Sequence, residues 1–155
     1  MTYKPEFFGD AELHGQRQFC DRTILVALDD FRRKWGRPVL ISPVDGAVAR
    51  FGAPRSKSQH SVDYWGNTCA VDAFPIGMDS VEQRQRAFRI AREIGFGGIG
   101  LYPDAVLGKR TGMIHLDTRW IRPDMERHLD KPATWSAWRK KLGRGWSYRG
   151  IGEAL

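Results

Sequence analysis

The alternation of apolar and polar positions divides the chain into a short series of elements. Between Arg17 and about Trp35, apolar residues fall at Ile24, Ala27, Leu28, Phe31 and Trp35, the spacing of an amphipathic helix, and Gly36 is placed to end it. Residues 38–42 read as a short buried strand. Residues 43–60, with two prolines and two glycines, read as a long loop. A second strand runs over 68–74 and is closed by Pro75 and Gly77. Asp79, followed three residues later by Glu82, resembles a capping box. The helix it opens carries Val81, Ala87, Phe88, Ala91 and Ile94 on one side and stops at Gly95. Two further strands are expected at 97–102 and 113–117, joined by a turn-rich connection. Trp135, Trp138 and Leu142 fit one face of a short C-terminal helix, and residues 1–16 an irregular arm. The pattern contains no repeat, low-complexity tract or linker. It predicts a single α+β domain over 1–155, with helices packed on a small, mostly antiparallel sheet.

Two residues break the apolar pattern of the strands they occupy. Asp72 lies among Ala70, Val71, Ala73 and Phe74, and His115 lies between Ile114 and Leu116 with Asp117 two positions on. A buried carboxylate is costly unless it is paired, hydrogen-bonded or bound to a metal. Strand residues two apart share a face, so His115 and Asp117 point one way. If the two strands are neighbours, Asp72 and His115 converge and His60 in the preceding loop can close over them. Two imidazoles and one carboxylate are a ligand set for a catalytic zinc with its fourth position open. The same residues would equally form a satisfied His–Asp hydrogen bond in a core.

Composition narrows the setting. The 155 residues suffice for one self-supporting core. A hydrophobic share of 41% and six tryptophans argue against disorder. No apolar run reaches the ~20 residues of a membrane span, and the N-terminus lacks the layout of a secretory signal. The net charge of +7 predicts attraction to polyanions such as nucleic acid, anionic lipid or a bacterial wall. Cys20 and Cys69 match neither a disulfide framework nor a zinc-finger spacing and are expected to be free thiols.

Three ordered segments resemble one family. Ser58-Gln59-His60, Gly66 and Ala70-Val71-Asp72 are similar to the Ser-x-His, Gly, Ala-x-Asp motif of the zinc D-alanyl-D-alanine carboxypeptidases and L-alanyl-D-glutamate endopeptidases of peptidoglycan. Gly97-Gly98-Ile99-Gly100-Leu101-Tyr102 and His115-Leu116-Asp117-Thr118-Arg119 resemble the GxGxY and HxDxR segments of its small single-domain branch. The likeness covers about 37–120, leaving 121–155 as a basic, aromatic extension. It implies Zn2+ held by His60, Asp72 and His115, with Ser58 a supporting residue. Asp117 would be an outer-shell or acid–base residue, and either Arg50 or Arg55 the substrate-orienting arginine. It also implies peptidoglycan as partner and a phage lysis or virion-associated enzyme. Such an enzyme is expected to be monomeric unless built into a virion, and to move from host cytoplasm to periplasm or cell wall.

The chain departs from the family in places. His60 and Asp72 are twelve positions apart, against seven in the motif, so residues 62–67 must bulge between ligands, where Asp63 could compete. Gly112 stands where relatives place a carboxylate base, three residues before the last histidine. These departures keep open an inactive wall-binding or structural module of the same fold. The charge and the Trp/Arg tail leave nucleic-acid binding as a less favoured reading. His14 and His128 read as surface residues, and the GFGGIG stretch as close backbone packing rather than a phosphate loop.

Overall fold

The computed structural model describes residues 3–125 and 130–155, so His128 lies outside the described residues. Six strands form one sheet: β1 (Val39–Ile41), β2 (Ala70–Pro75), β3 (Gly98–Leu107), β4 (Arg110–Asp117), β5 (Ala133–Arg139) and β6 (Trp146–Arg149), in the order β1-β2-β4-β3-β5-β6. Every pair is antiparallel except β3 with β5. Among the described residues three α-helices accompany it, α1 (Arg22–Trp35), the single turn α2 (Val62–Trp65) and α3 (Val81–Ile94). The α+β architecture, with helices and a mostly antiparallel sheet, is therefore as the patterning predicts. No helix among the described residues is long and apolar enough to cross a membrane.

Alternation sorts the strands into two faces. Val71, Ala73, Ile99, Leu101, Ile114 and Leu116 point into the main core, where they meet Leu28, Phe31 and Trp35 of α1 and Ala87, Ile90 and Ala91 of α3. The opposite face carries Asp72, His115 and Asp117 beside a smaller cluster of Phe74, Tyr102, Ala105 and Ala137. Helix α1 starts at Asp21, whose carboxylate accepts from the Thr23 amide, and stops at left-handed Gly36. Ser80, rather than Asp79, caps α3 by accepting from the Gln83 amide. The signal was the neighbouring Ser-x-x-Gln.

One expected element differs. Residues 133–139 form strand β5, not a helix, because Trp135 and its neighbours extend the sheet in register with Gly98 to Leu101. Residues 3–16 form no helix or strand, as an irregular arm should, but they pack against the core. Phe8 and Leu13 are fully buried, and the carboxylate of Asp29 on α1 accepts from the Tyr3 hydroxyl at 2.6 Å and from the Glu6 and Phe7 amides at 2.7 and 3.1 Å. The cysteines are free, as expected.

Asp29→Ala strands two backbone amides and a phenol that now share one buried carboxylate. Bonds to a charged acceptor are each worth roughly 1.5–3 kcal/mol. The variant should lose about 3 kcal/mol of unfolding free energy in urea, and residues 3–8 should become the first site of limited proteolysis.

Candidate metal centre

Pairing across the sheet builds the site. Asp72 on β2 lies directly opposite His115 on β4, His115 opposite Gly100 on β3, and Gly100 opposite Trp135 on β5. A Cβ at Gly100 would strike the Trp135 indole. The bare glycine therefore lets that ring lie across β3 and reach His115, with ring centroids 5.0 Å apart. In the next row, Asp117 pairs with Gly98, where a Cβ would strike the Asp117 carboxylate. The glycine-rich stretch is thus a packing device, its two site-facing positions left empty for neighbouring side chains.

The third donor comes from the loop before α2. Arg50 donates its amide to the His60 carbonyl at 2.8 Å, and the Asp72 amide donates to the Ala47 carbonyl at 2.9 Å, which ties that loop to β2. His60 Nε2 then lies 3.2 Å from His115 Nδ1 and 3.6 Å from Asp72 Oδ1, while His115 Nδ1 is 2.9 Å from Asp72 Oδ1. Both imidazoles are buried and Asp72 is half-buried. Ligand bonds of about 2.0–2.1 Å at tetrahedral angles place donors roughly 3.3 Å apart, and these three separations bracket that value.

The far side of each ring is committed. His60 Nδ1 is 3.2 Å from the Val48 carbonyl, which can only accept, so this nitrogen carries the proton and Nε2 presents a lone pair. His115 Nε2 donates to Asp117 Oδ2 at 2.7 Å. Arg119 grips Asp117 through Nε and Nη2 at 2.9 and 2.7 Å. Such outer bonds fix tautomer and orientation at metal-binding histidines. Three inward-facing acceptors can coexist only around a cation. Without a metal, one proton on His115 Nδ1 serves all three.

Electrostatics agrees. Burial pushes His115 down, but hydrogen bonds to Asp117 and Asp72 outweigh it and raise its pKa to about 9. Burial likewise raises Asp72, yet the surrounding imidazoles, with the hydrogen bond from protonated His115, hold it below the usual carboxylate range. Asp117 is kept low against its burial by hydrogen bonds from His115 and Arg119.

The site opens into a cleft of about 360 Å³ lined by residues that include Arg50, Lys57, Ser58, Tyr102, Arg119 and Trp135. Arg50 and Ser58, singled out from sequence, border it. Arg55 does not line it, and Lys57 supplies a nearer cation. Asp117 is fully buried behind His115, with both oxygens engaged, and does not face the cleft. The geometry gives it a positioning role in place of acid–base work. Asp63 accepts from the Ala53 amide and stays outside the donor cluster. The extra residues between ligands form α2, capped by Ser61 and Gly66. Arg122 clamps this insertion by donating to the Asn67 side chain and carbonyl while stacking over Trp65.

Gly112 explains its own departure. It adopts φ +92°, and a Cβ there would strike the Met78 carbonyl. Its flanking residues also show that this position faces away from the site: Met113 and His115 point to the site face and Ile114 to the core. Trp135, Tyr102 and Arg119 also line the cleft, and the sequence left them without roles. Tyr102 and Arg119 sat inside quoted motifs, at site-facing or flanking positions, while Trp135 was hidden by the helix reading. No family model, curated protein or solved structure matches the chain.

Two outcomes follow. A group whose folded pKa is raised stabilises the fold fully below its unfolded value of about 6.5 and ceases to do so as pH passes the folded value. Protein kept metal-free with chelator should therefore lose melting temperature between pH 6.5 and about 9, and His115→Gln should flatten that slope. Gly112→Glu should cost about 2 kcal/mol or more in chemical denaturation through its backbone conformation and the Met78 contact, without placing a carboxylate in the cleft.

Proposed function

We propose that this chain is a zinc-dependent peptidase acting on the stem peptides of peptidoglycan, as a phage lysis or virion-associated enzyme. The observation that carries the reading is the convergence of His60 Nε2, His115 Nδ1 and Asp72 Oδ1, with the far nitrogen of each imidazole tied to an acceptor. Three protein donors of these types are the ligand set of a catalytic zinc site. Zinc held there would supply a Lewis acid that acidifies water and polarises a peptide carbonyl. The substrate class comes from the resemblance of the His60–Asp72, Gly98–Tyr102 and His115–Arg119 segments to the peptidoglycan peptidases.

The chain's own residues shape the rest. Arg50, Lys57 and Arg119 make the cleft cationic, which draws in the carboxylates of stem peptides. Trp135 donates its indole N–H to the Tyr102 hydroxyl at 3.2 Å, fixing an aromatic wall beside His115. Burial raises the Tyr102 pKa, so its phenol stays protonated at the cleft wall. The conformation of Gly112 favours a second reading, a module of the same architecture that binds wall without cutting it.

Elemental analysis of the purified chain and of His115→Ala, paired with release of new amino groups from purified walls, tests both. About one zinc per chain, lost in the variant, together with new amino groups, is the expected result. Zinc without released amines would favour the binding module. A folded chain that takes up no zinc when the metal is supplied would remove the peptidase reading.

A further inference from the structure

The hairpin of β5 and β6 ends in an apex, residues 140–145, that reads Lys-Lys-Leu-Gly-Arg-Gly. It turns through Gly143 and Gly145 at φ 81° and 99°. Leu142 stands 90% exposed there, the most exposed large hydrophobic residue among those described. Lys140, Lys141 and Arg144 surround it, all exposed and with no side-chain partner among the described residues. Two more cations flank the apex: Arg139 lies over the Trp146 ring at 5.8 Å, and Arg149 pairs with Glu153 at 2.9 Å. One carboxylate, Asp104, lies beside the apex and accepts from the Arg139 amide at 2.9 Å.

A leucine so exposed contributes nothing to the core, and its ring of unpaired cations is poorly explained by folding. We propose that this apex docks on an anionic phospholipid bilayer. Leu142 enters the boundary between headgroups and acyl chains, while Lys140, Lys141 and Arg144 reach the lipid phosphates with their stems along the apolar layer. The charge balance of the apex complements that surface. A single-stranded nucleic acid would need an exposed ring on which bases stack. The apex has none, and Trp146 is half-buried and edge-on to Tyr102 at 5.1 Å. The same two strands carry Trp135 and Tyr148 into the cleft, so docking at the apex holds the cleft-bearing strands at the lipid surface. The proposal is independent of the metal and of peptide hydrolysis.

The test is cosedimentation of the full chain with vesicles of phosphatidylcholine alone and with phosphatidylglycerol added. Binding is expected only to the anionic vesicles and should weaken as salt rises. Each neutralised lysine should cost about fivefold, so Lys140→Gln with Lys141→Gln should cost roughly 25-fold. Leu142→Asn, which keeps the charge, should cost about tenfold. Absence of binding, or equal binding to both vesicles, would overturn the proposal. So would anionic-vesicle binding that falls in the lysine variant but is untouched by Leu142→Asn, because that marks a general polyanion patch to which DNA or an anionic wall polymer would bind as well.

Discussion

The direct pairing of Asp72 with His115 across β2 and β4 is the constraint on which the site depends. It sets the two residues face to face through the backbone ladder, so their side chains start from adjacent positions on one face of the sheet. The third donor has to come from elsewhere, and the long loop before α2 delivers His60 only because backbone bonds stitch it to β2 at Ala47 and Asp72. The glycines on β3 serve the same arrangement. Side chains at 98 and 100 would occupy the space of Asp117 and Trp135, the residues that brace His115 from behind and from the side.

Charge balance follows from that geometry. Asp72 and Asp117 contribute two negative charges, and Arg119 with protonated His115 two positive ones, so the metal-free cluster is neutral. Exchanging the single proton for a divalent ion leaves the cluster with one positive charge. Arg50 and Lys57 at the cleft add to it. A site of this kind attracts an anionic ligand once it is loaded, and the cost of burying Asp72 is offset in either state. The apolar strand around Asp72 is therefore compatible with its carboxylate because the compensating charge lies across the ladder and not along it.

Much of this was legible in the sequence because polar residues in apolar strands obey the period of two. Asp72, His115 and Asp117 announced their shared face, and the helices announced themselves through Leu28, Phe31 and Trp35 or Ala87 and Ala91. What escaped was decided by partners distant in the chain. Trp135, Trp138 and Leu142 fit a helical spacing locally, but the parallel edge of β3 claims residues 133–136 as strand. The role of Asp117 was open until its burial and its bonds to Arg119 were visible, since sequence period gives a face but not a depth. Arg50 and Arg55 were equivalent for the same reason, and only the path of the loop separates them.

Gly112 carries the chemical consequence furthest. Its positive φ and the Met78 carbonyl exclude a side chain there, and alternation turns the position towards the helices in any case. Among the described residues, Asp72 is the only carboxylate lining the cleft, and its inward oxygen already belongs to the donor cluster. A carboxylate introduced at this position, as in the family the sequence resembles, would therefore not reach the cleft. The peptidase reading needs a proton acceptor other than a free carboxylate, while the Tyr102 phenol, kept protonated by burial and braced against the donor cluster through Trp135, offers a donor. The backbone of this one glycine is thus what separates the chain from the carboxylate-bearing pattern its sequence resembles.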